Sequence, residues 1–178
     1  NGSMGGKARG IAFLNTLLLD SPLKTKNPGI NILTPHTFVI CSEVFDEFIS
    51  RNKLQEIAIG QSNNERIAAA FVKKKLPEGI VNDLRTLLEE VRYPLAIRSS
   101  SLLEDSQMLP FAGLYSTYML PNNHPDIRLR LMQLCMAIKL VFASVFYKSP
   151  KEYVKNTNFR IEEEKMAVIV QHAVGQDH

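Results

Sequence analysis

The stretch "PLAIRSSSLLEDSQMLPFAGLYSTYML", residues Pro94 to Leu120, carries the most informative pattern of this 178-residue chain. It begins with a short apolar run, Leu95 to Ile97, that is typical of a buried strand. Arg98 follows directly, so the strand delivers a guanidinium from the core to an edge. Such a group needs an anionic partner, and its planar fork suits the oxygens of a carboxylate or a phosphate. The segment from Tyr115 to Leu120 is predicted to be a second strand.

The rest of the chain alternates predicted helices with separated strands. Apolar residues recur at helical spacing in segments 5–19, 41–52, 61–75, 78–91 and 126–147, and a short helix is predicted over 149–153. Ser42 is the expected N-cap of the second of these helices. Strand patterns occupy residues 30–40, where Pro35 restricts the pairing, and residues 166–170. This mixture predicts a mixed α/β (α+β) architecture.

Composition favours a globular protein with one core, or with two small lobes that share one. Hydrophobic residues make up 45% of the chain, and the net charge of +3 comes from Lys and Arg residues spread along it. That spread favours a local anion site over nucleic-acid binding. Cys41 and Cys135 lie far apart in apolar settings, which predicts buried free thiols and a cytoplasmic location. No apolar run approaches the roughly 20 residues that cross a bilayer, so no membrane association is expected.

Both ends of the chain suggest a piece of a larger protein. Asn1 to Met4, "NGSM", resemble the remnant of an expression tag. The other end, "VQHAVGQDH", stops directly after a strand pattern. We therefore expect residues 5–178 to be one part of a longer chain.

The polar residues after the first strand have two interpretations. Arg98 could form a structural ion pair with Glu104 or Asp105, or it could bind an external anion. The hydroxyl and backbone N–H groups of Ser99 to Ser101 could face the same anion, although serines also form turns and cap helices.

Further candidates lie along the chain. Gly5, Gly6 and Lys7 precede a helix, an arrangement that suits phosphate, although a disordered start is the alternative. Gly113 could let the backbone approach a ligand, with the Thr117 hydroxyl further along, or it could form a tight turn. Gln171 ends an apolar strand, where it could bind a nucleoside or cap an edge.

No metal or nucleophile site is predicted. His36 and His172 lack partners at metal-ligand spacing and are interpreted as structural. The sequence has no Ser/His/Asp or Cys/His arrangement that spacing supports, so we do not predict nucleophilic catalysis.

Taken together, these motifs resemble the N-terminal nucleotide-binding domain of the phosphoenolpyruvate synthase and pyruvate, phosphate dikinase family. That family has a Gly-Gly-Lys before its first helix, as Gly5 to Lys7 are here. Its central signature appears as "AIRSS", Glu104-Asp105, "FAG" and Thr117-Tyr118, with Thr117 nineteen positions after Arg98. Downstream, "AIKLVFASVF" and "MAVIVQHAV" resemble the family's helix and its strand ending in Val-Gln. The resemblance covers nearly the whole chain.

This resemblance implies an ATP-grasp-like domain, incomplete at its C-terminal side. Lys7 and Arg98 would hold the phosphates of ATP, with Arg98 as the catalytic residue. Gly113, Thr117 and Tyr118 would lie along the nucleotide, and Gln171 would sit in the same cleft. The Mg²⁺ ligands would lie outside this chain.

The resemblance also implies an enzyme with several domains. The parent would be a phosphotransferase that passes phosphate from ATP through a phosphohistidine domain to pyruvate or a related acceptor bound by a pyruvate domain. The isolated piece would then be inactive. The alternative is a nucleotide-sensing or regulatory module of the same fold that transfers no phosphate. A basic RNA-binding or protein-interaction fragment has only the net charge in its favour.

Overall fold

A computed structural model describes residues 2–20, 32–101, 113–155 and 157–175. The helices and strands follow one another in the order α1 (Gly5–Asp20), β1 (Thr37–Ile40), α2 (Ser42–Arg51), α3 (Gln55–Gly60), α4 (Asn64–Val72), α5 (Glu78–Glu90), β2 (Leu95–Ser101), β3 (Thr117–Leu120), α6 (Ile127–Ser144), α7 (Lys148–Val154), a 3-10 turn (Ile161–Glu163) and β4 (Met166–His172). The predicted mixed α/β architecture is confirmed.

The four strands form one antiparallel sheet in the order β1-β4-β2-β3. The last strand of the chain therefore lies in the middle, between β1 and β2. Side chains that face one another across an antiparallel pair point to the same side of the sheet. The pairs Arg98↔Ile169 and Arg98↔Thr117 thus share one side, and Ile97↔Val170 and Ile97↔Tyr118 share the other.

The side that contains Ile97 packs on the helices. Its strand residues join a core built around α6, in which five phenylalanines meet. Phe142 on α6 lies 5.2 Å from Phe45 and 5.8 Å from Phe48, measured between ring centroids, and Phe71 lies 5.8 Å from Phe146. Because α2, α4 and α6 each contribute rings, this cluster ties the helical layer into one unit.

The opposite side of the sheet is contacted by α1. Helix α1 packs mainly on β2, and its buried residues are Gly5 and Ala8 in the first turn. Phe13, Leu14 and Leu17, which lie on the apolar face of the helix predicted over 5–19, are 64%, 52% and 49% exposed. Small residues rather than the apolar face therefore make the contact between α1 and the sheet.

The segment Ile127–Val154 is long and apolar enough to cross a membrane by length and composition, and its most apolar 18-residue window has a mean hydropathy of 1.7. This corrects the expectation that no apolar run reaches that length. In this fold 61% of the segment's most apolar window is buried, as in the core helix of a globular domain.

Some boundaries differ from the sequence-based expectations. In the part of 30–40 that the structure describes, pairing begins only at Thr37, and β2 continues past Ile97 to Ser101. Cys41, whose backbone is extended, is the N-cap of α2 rather than Ser42, and the Ser42 N–H donates to the Ser3 carbonyl oxygen. Helix α3 was not predicted, since six residues are too few to display a helical period. Cys41 and Cys135 are free as expected, but only half-buried.

Candidate functional site

Arg98 lies at the midpoint of β2 rather than at its end. Side chains alternate between the two sides of a strand, so the Arg98 side chain points away from the helical core. The side chain is half-buried, and its Nη1 donates to Oε1 of Gln171 at 3.3 Å. Arg98 and Gln171 are thus brought together.

A directed series of hydrogen bonds holds Gln171 in place. Its Nε2 donates to Oγ1 of Thr37 at 3.1 Å, and that hydroxyl donates to the Pro35 carbonyl oxygen at 2.8 Å. Every donor points in the same sense, so each bond polarises the next. The amide orientation of Gln171 is fixed, and its oxygen faces the guanidinium of Arg98.

Within the described residues, no carboxylate forms an ion pair with Arg98. Glu104 and Asp105, its alternative partners, lie outside the residues that the structure describes, as do Phe111 and Ala112. A half-buried guanidinium whose described partner is a neutral amide can still pair with an anion.

Lys7 reaches the same strand one residue further on. Its Nζ donates to the carbonyl oxygen of Ser99 at 3.2 Å and to Oγ of Ser99 at 3.3 Å. Since Ser99 adjoins Arg98 in β2, two positive side chains from distant parts of the sequence contact or extend from the same strand, although the Ser99 and Arg98 side chains point to opposite sides of the sheet. Two cations on one strand are compatible with a polyanionic ligand.

The start of α1 is already bonded to the protein. The Ala8 N–H donates to Oγ of Ser100 at 3.1 Å, and the Gly5 N–H donates to Oγ of Ser3 at 3.3 Å. These two donors therefore hold the helix, and the Gly5 N–H, one of those suggested for phosphate, is among them.

The remaining predicted residues fall in different places. Thr117 pairs with Arg98 across β2 and β3 and is exposed on the same side. Tyr118 pairs with Ile97 and packs on the core side. There it contacts Tyr147, whose pKa is raised to about 12, first by burial and then by Tyr118. Gly113 is exposed in the turn before β3, with a left-handed φ of 78° and open space around it.

A model of the pyruvate phosphate dikinase AMP/ATP-binding domain matches residues 1–178. The chain belongs to the AMP/ATP-binding domain family of pyruvate phosphate dikinase. The resemblance inferred from the motifs is thereby confirmed.

A relative of this AMP/ATP-binding domain is the uncharacterized phosphotransferase YvkC of Bacillus subtilis (strain 168). It is 27% identical over 143 residues, which are 80% of the chain. The matched region is only 16% of the relative, so the chain spans a small part of that protein's length.

Metal binding finds no support in the described part of this AMP/ATP-binding domain. Among those residues, no three His, Cys, Asp or Glu side chains are grouped so that they could hold a metal ion. We therefore assign no Mg²⁺ ligands in residues 2–20, 32–101, 113–155 and 157–175.

Sequence reasoning missed Thr37, which anchors Gln171. Thr37 starts a strand 134 positions from Gln171, and nothing local marks it as a partner. The alternation in "TFVI" indicates which residues share a side of the sheet with Thr37. Only the pairing of β1 with β4 places Thr37 opposite Gln171.

Proposed function

We propose that this chain is the first part of the ATP-binding domain of a phosphotransferase. The observation that carries the proposal is the convergence of Arg98 and Lys7 on β2, with the guanidinium held by a neutral amide. Membership of an AMP/ATP-binding family supports nucleotide as the ligand.

In this proposal Lys7 and Arg98 bind the phosphates of ATP, with Arg98 as the catalytic residue. Phosphoryl transfer asks mainly for positioning and for neutralisation of charge, which two fixed cations supply. Gln171 keeps the guanidinium oriented, and Thr117 offers a hydroxyl on the same side of the sheet. Gly113 and Tyr118 remain predictions of the resemblance, and the packing of Tyr118 on Tyr147 gives it a structural role as well.

For the whole protein we propose an ATP-grasp-like fold that residues 5–178 begin and later residues complete. Phosphate would pass from ATP to a histidine on a separate domain and then to pyruvate or a related acceptor. Mg²⁺ would be held by ligands outside the described residues, and the protein would act in the cytoplasm. The match to 16% of a phosphotransferase supports a multidomain parent.

The test is self-phosphorylation of the full-length protein with ATP labelled with ³²P in the β or γ position. Arg98→Ala should reduce labelling at least about a hundredfold, because a contact to transferring phosphate is lost. Arg98→Lys should also be poor, since an ammonium lacks the bidentate fork. Arg51→Ala, which removes an exposed arginine paired with Glu47, is the control and should label normally.

Labelling of the Arg98→Ala protein at the wild-type level would refute the assignment. Wild-type protein that binds ATP without becoming labelled would favour the nucleotide-sensing module instead.

A further inference from the structure

We propose that Ser100 is a positioning residue that sets Lys7 against the strand of Arg98 by latching the first turn of α1 onto β2. The inference rests on the proposed function, because its effect on binding is read through ATP. The hydrogen bonds of Ser100 to Ala8 and Met4, called the latch below, can be measured without nucleotide.

The Ser100 hydroxyl forms hydrogen bonds with backbone groups at both ends of the first turn of α1. Its Oγ accepts the Ala8 N–H at 3.1 Å and donates to the Met4 carbonyl oxygen at 2.9 Å. Ser100 is fully buried, so water does not replace either bond without local opening. One hydroxyl therefore satisfies a helix N-terminal donor and the carbonyl just before the helix.

Gly5 makes the close contact possible. Its φ is 72°, and a Cβ at this position would lie 1.9 Å from the Ser100 carbonyl oxygen. Only glycine lets the two backbones meet at this distance. Lys7 lies between Gly5 and Ala8, so both contacts fix the residue that carries the ammonium.

The latch connects the two cations of the site. Ser100 follows Arg98 by two residues in β2 and points to the same side of the sheet, while its hydroxyl holds the turn that contains Lys7. A lysine side chain has much rotational freedom, so its position depends on a fixed backbone beneath it. Loss of the hydroxyl should free that turn and leave the Lys7 ammonium less firmly positioned relative to β2.

The experiment compares Ser100→Ala, Lys7→Ala and the double variant in the full-length protein. Amide hydrogen exchange of the peptide that contains Ala8 should become faster in Ser100→Ala. ATP affinity should fall about three- to tenfold, the effect of one hydrogen bond. In the Lys7→Ala background, Ser100→Ala should cause no further loss, because its effect passes through the lysine.

Thr157→Val is the control. Its hydroxyl also bridges backbone groups, donating to the Val154 carbonyl oxygen at 2.9 Å and accepting the Phe159 N–H at 3.2 Å. It follows α7, so ATP affinity should be that of the wild type. If Ser100→Ala does not fold, Ser100→Cys replaces it, since a thiol keeps a weaker donor and acceptor and should give a smaller change of the same sign.

Additive losses of ATP affinity in the double variant would overturn the inference, as would unchanged exchange at Ala8. Wild-type protein that fails to bind ATP would instead overturn the proposed function, and with it the role of the latch in nucleotide binding.

Discussion

At the residue scale, the distinguishing feature of the candidate site is that the partner of Arg98 is neutral. The guanidinium meets the amide oxygen of Gln171, which orients it without neutralising it. Gln171 is buried and is held in turn by Thr37. The charge is thus fixed in direction and remains available to an anion.

Changing Gln171 to glutamate tests this description. In Gln171→Glu the new carboxylate would form an ion pair with Arg98 and compete with phosphate. We expect ATP affinity to fall by about tenfold or more, while the fold is kept, because the side chain has nearly the same shape. Equilibrium binding of ATP to the full-length protein measures the loss.

Gln133→Glu is the matched control, since it makes the same charge change on α6. Its ATP affinity should stay close to that of the wild type. Equal affinity losses in the two variants would show that net charge, rather than the neighbour of Arg98, decides the result.

At the scale of helices and strands, three basic side chains from α6 and α7 cap other helices. Lys139 donates to the carbonyl oxygens of Val72 and Lys74 at the end of α4, at 2.7 and 3.2 Å. Lys151 bonds carbonyl oxygens at the end of α3, and Arg130 bonds that of Val91, which follows α5, at 3.0 Å. Cations at helix C-termini satisfy unpaired carbonyls and complement the helix dipole.

Lys139→Met should therefore lower the free energy of unfolding by about 1–2 kcal/mol, because two carbonyl oxygens lose their donor. The methionine keeps much of the apolar stem, so lost packing contributes little. Urea denaturation measures the change. Lys148→Met, which removes only an exposed pair with Glu152, should change the free energy by less than about 0.5 kcal/mol. Equal effects of the two substitutions would contradict the capping role.

Two glycines in α1, Gly5 and Gly10, allow a matched test of how that helix packs on the sheet. Gly5→Ala should lower the free energy of unfolding by about 2 kcal/mol or more, because its φ is left-handed and Ser100 blocks a Cβ. Gly10→Ala meets nothing within 4 Å and should raise it by about 0.5–1 kcal/mol through helix propensity. Urea denaturation of both variants checks the opposite signs, and a Gly5→Ala protein as stable as the wild type would mean that α1 does not dock through Gly5.

At the scale of the whole molecule, local patterns predicted most helices and strands but not their assembly. The 3.6-residue period located α6, and the apolar runs located β2 and β4. The insertion of β4 between β1 and β2 depends on pairing between distant segments, which no local pattern records. Its consequence is the packing of Gln171 between Thr37 and Arg98.

The candidate site, too, was predicted from the sequence only in part. Arg98 and Lys7 were predicted from their residue types and motifs. The bond between Ala8 and Ser100 joins residues 92 positions apart, and only the docking of α1 on the sheet reveals it. Register also decides which side of the sheet each residue of β3 faces: Thr117 lies on the side of Arg98, and its neighbour Tyr118 faces the core.

The most direct test of the central claim compares the binding of ATP and adenosine to the full-length protein with and without Arg98→Ala. If Arg98 binds phosphate, ATP affinity should fall at least about tenfold while adenosine affinity stays the same, because only ATP carries the anion that the guanidinium recognises. Equal losses for both ligands, or no loss for ATP, would contradict the claim.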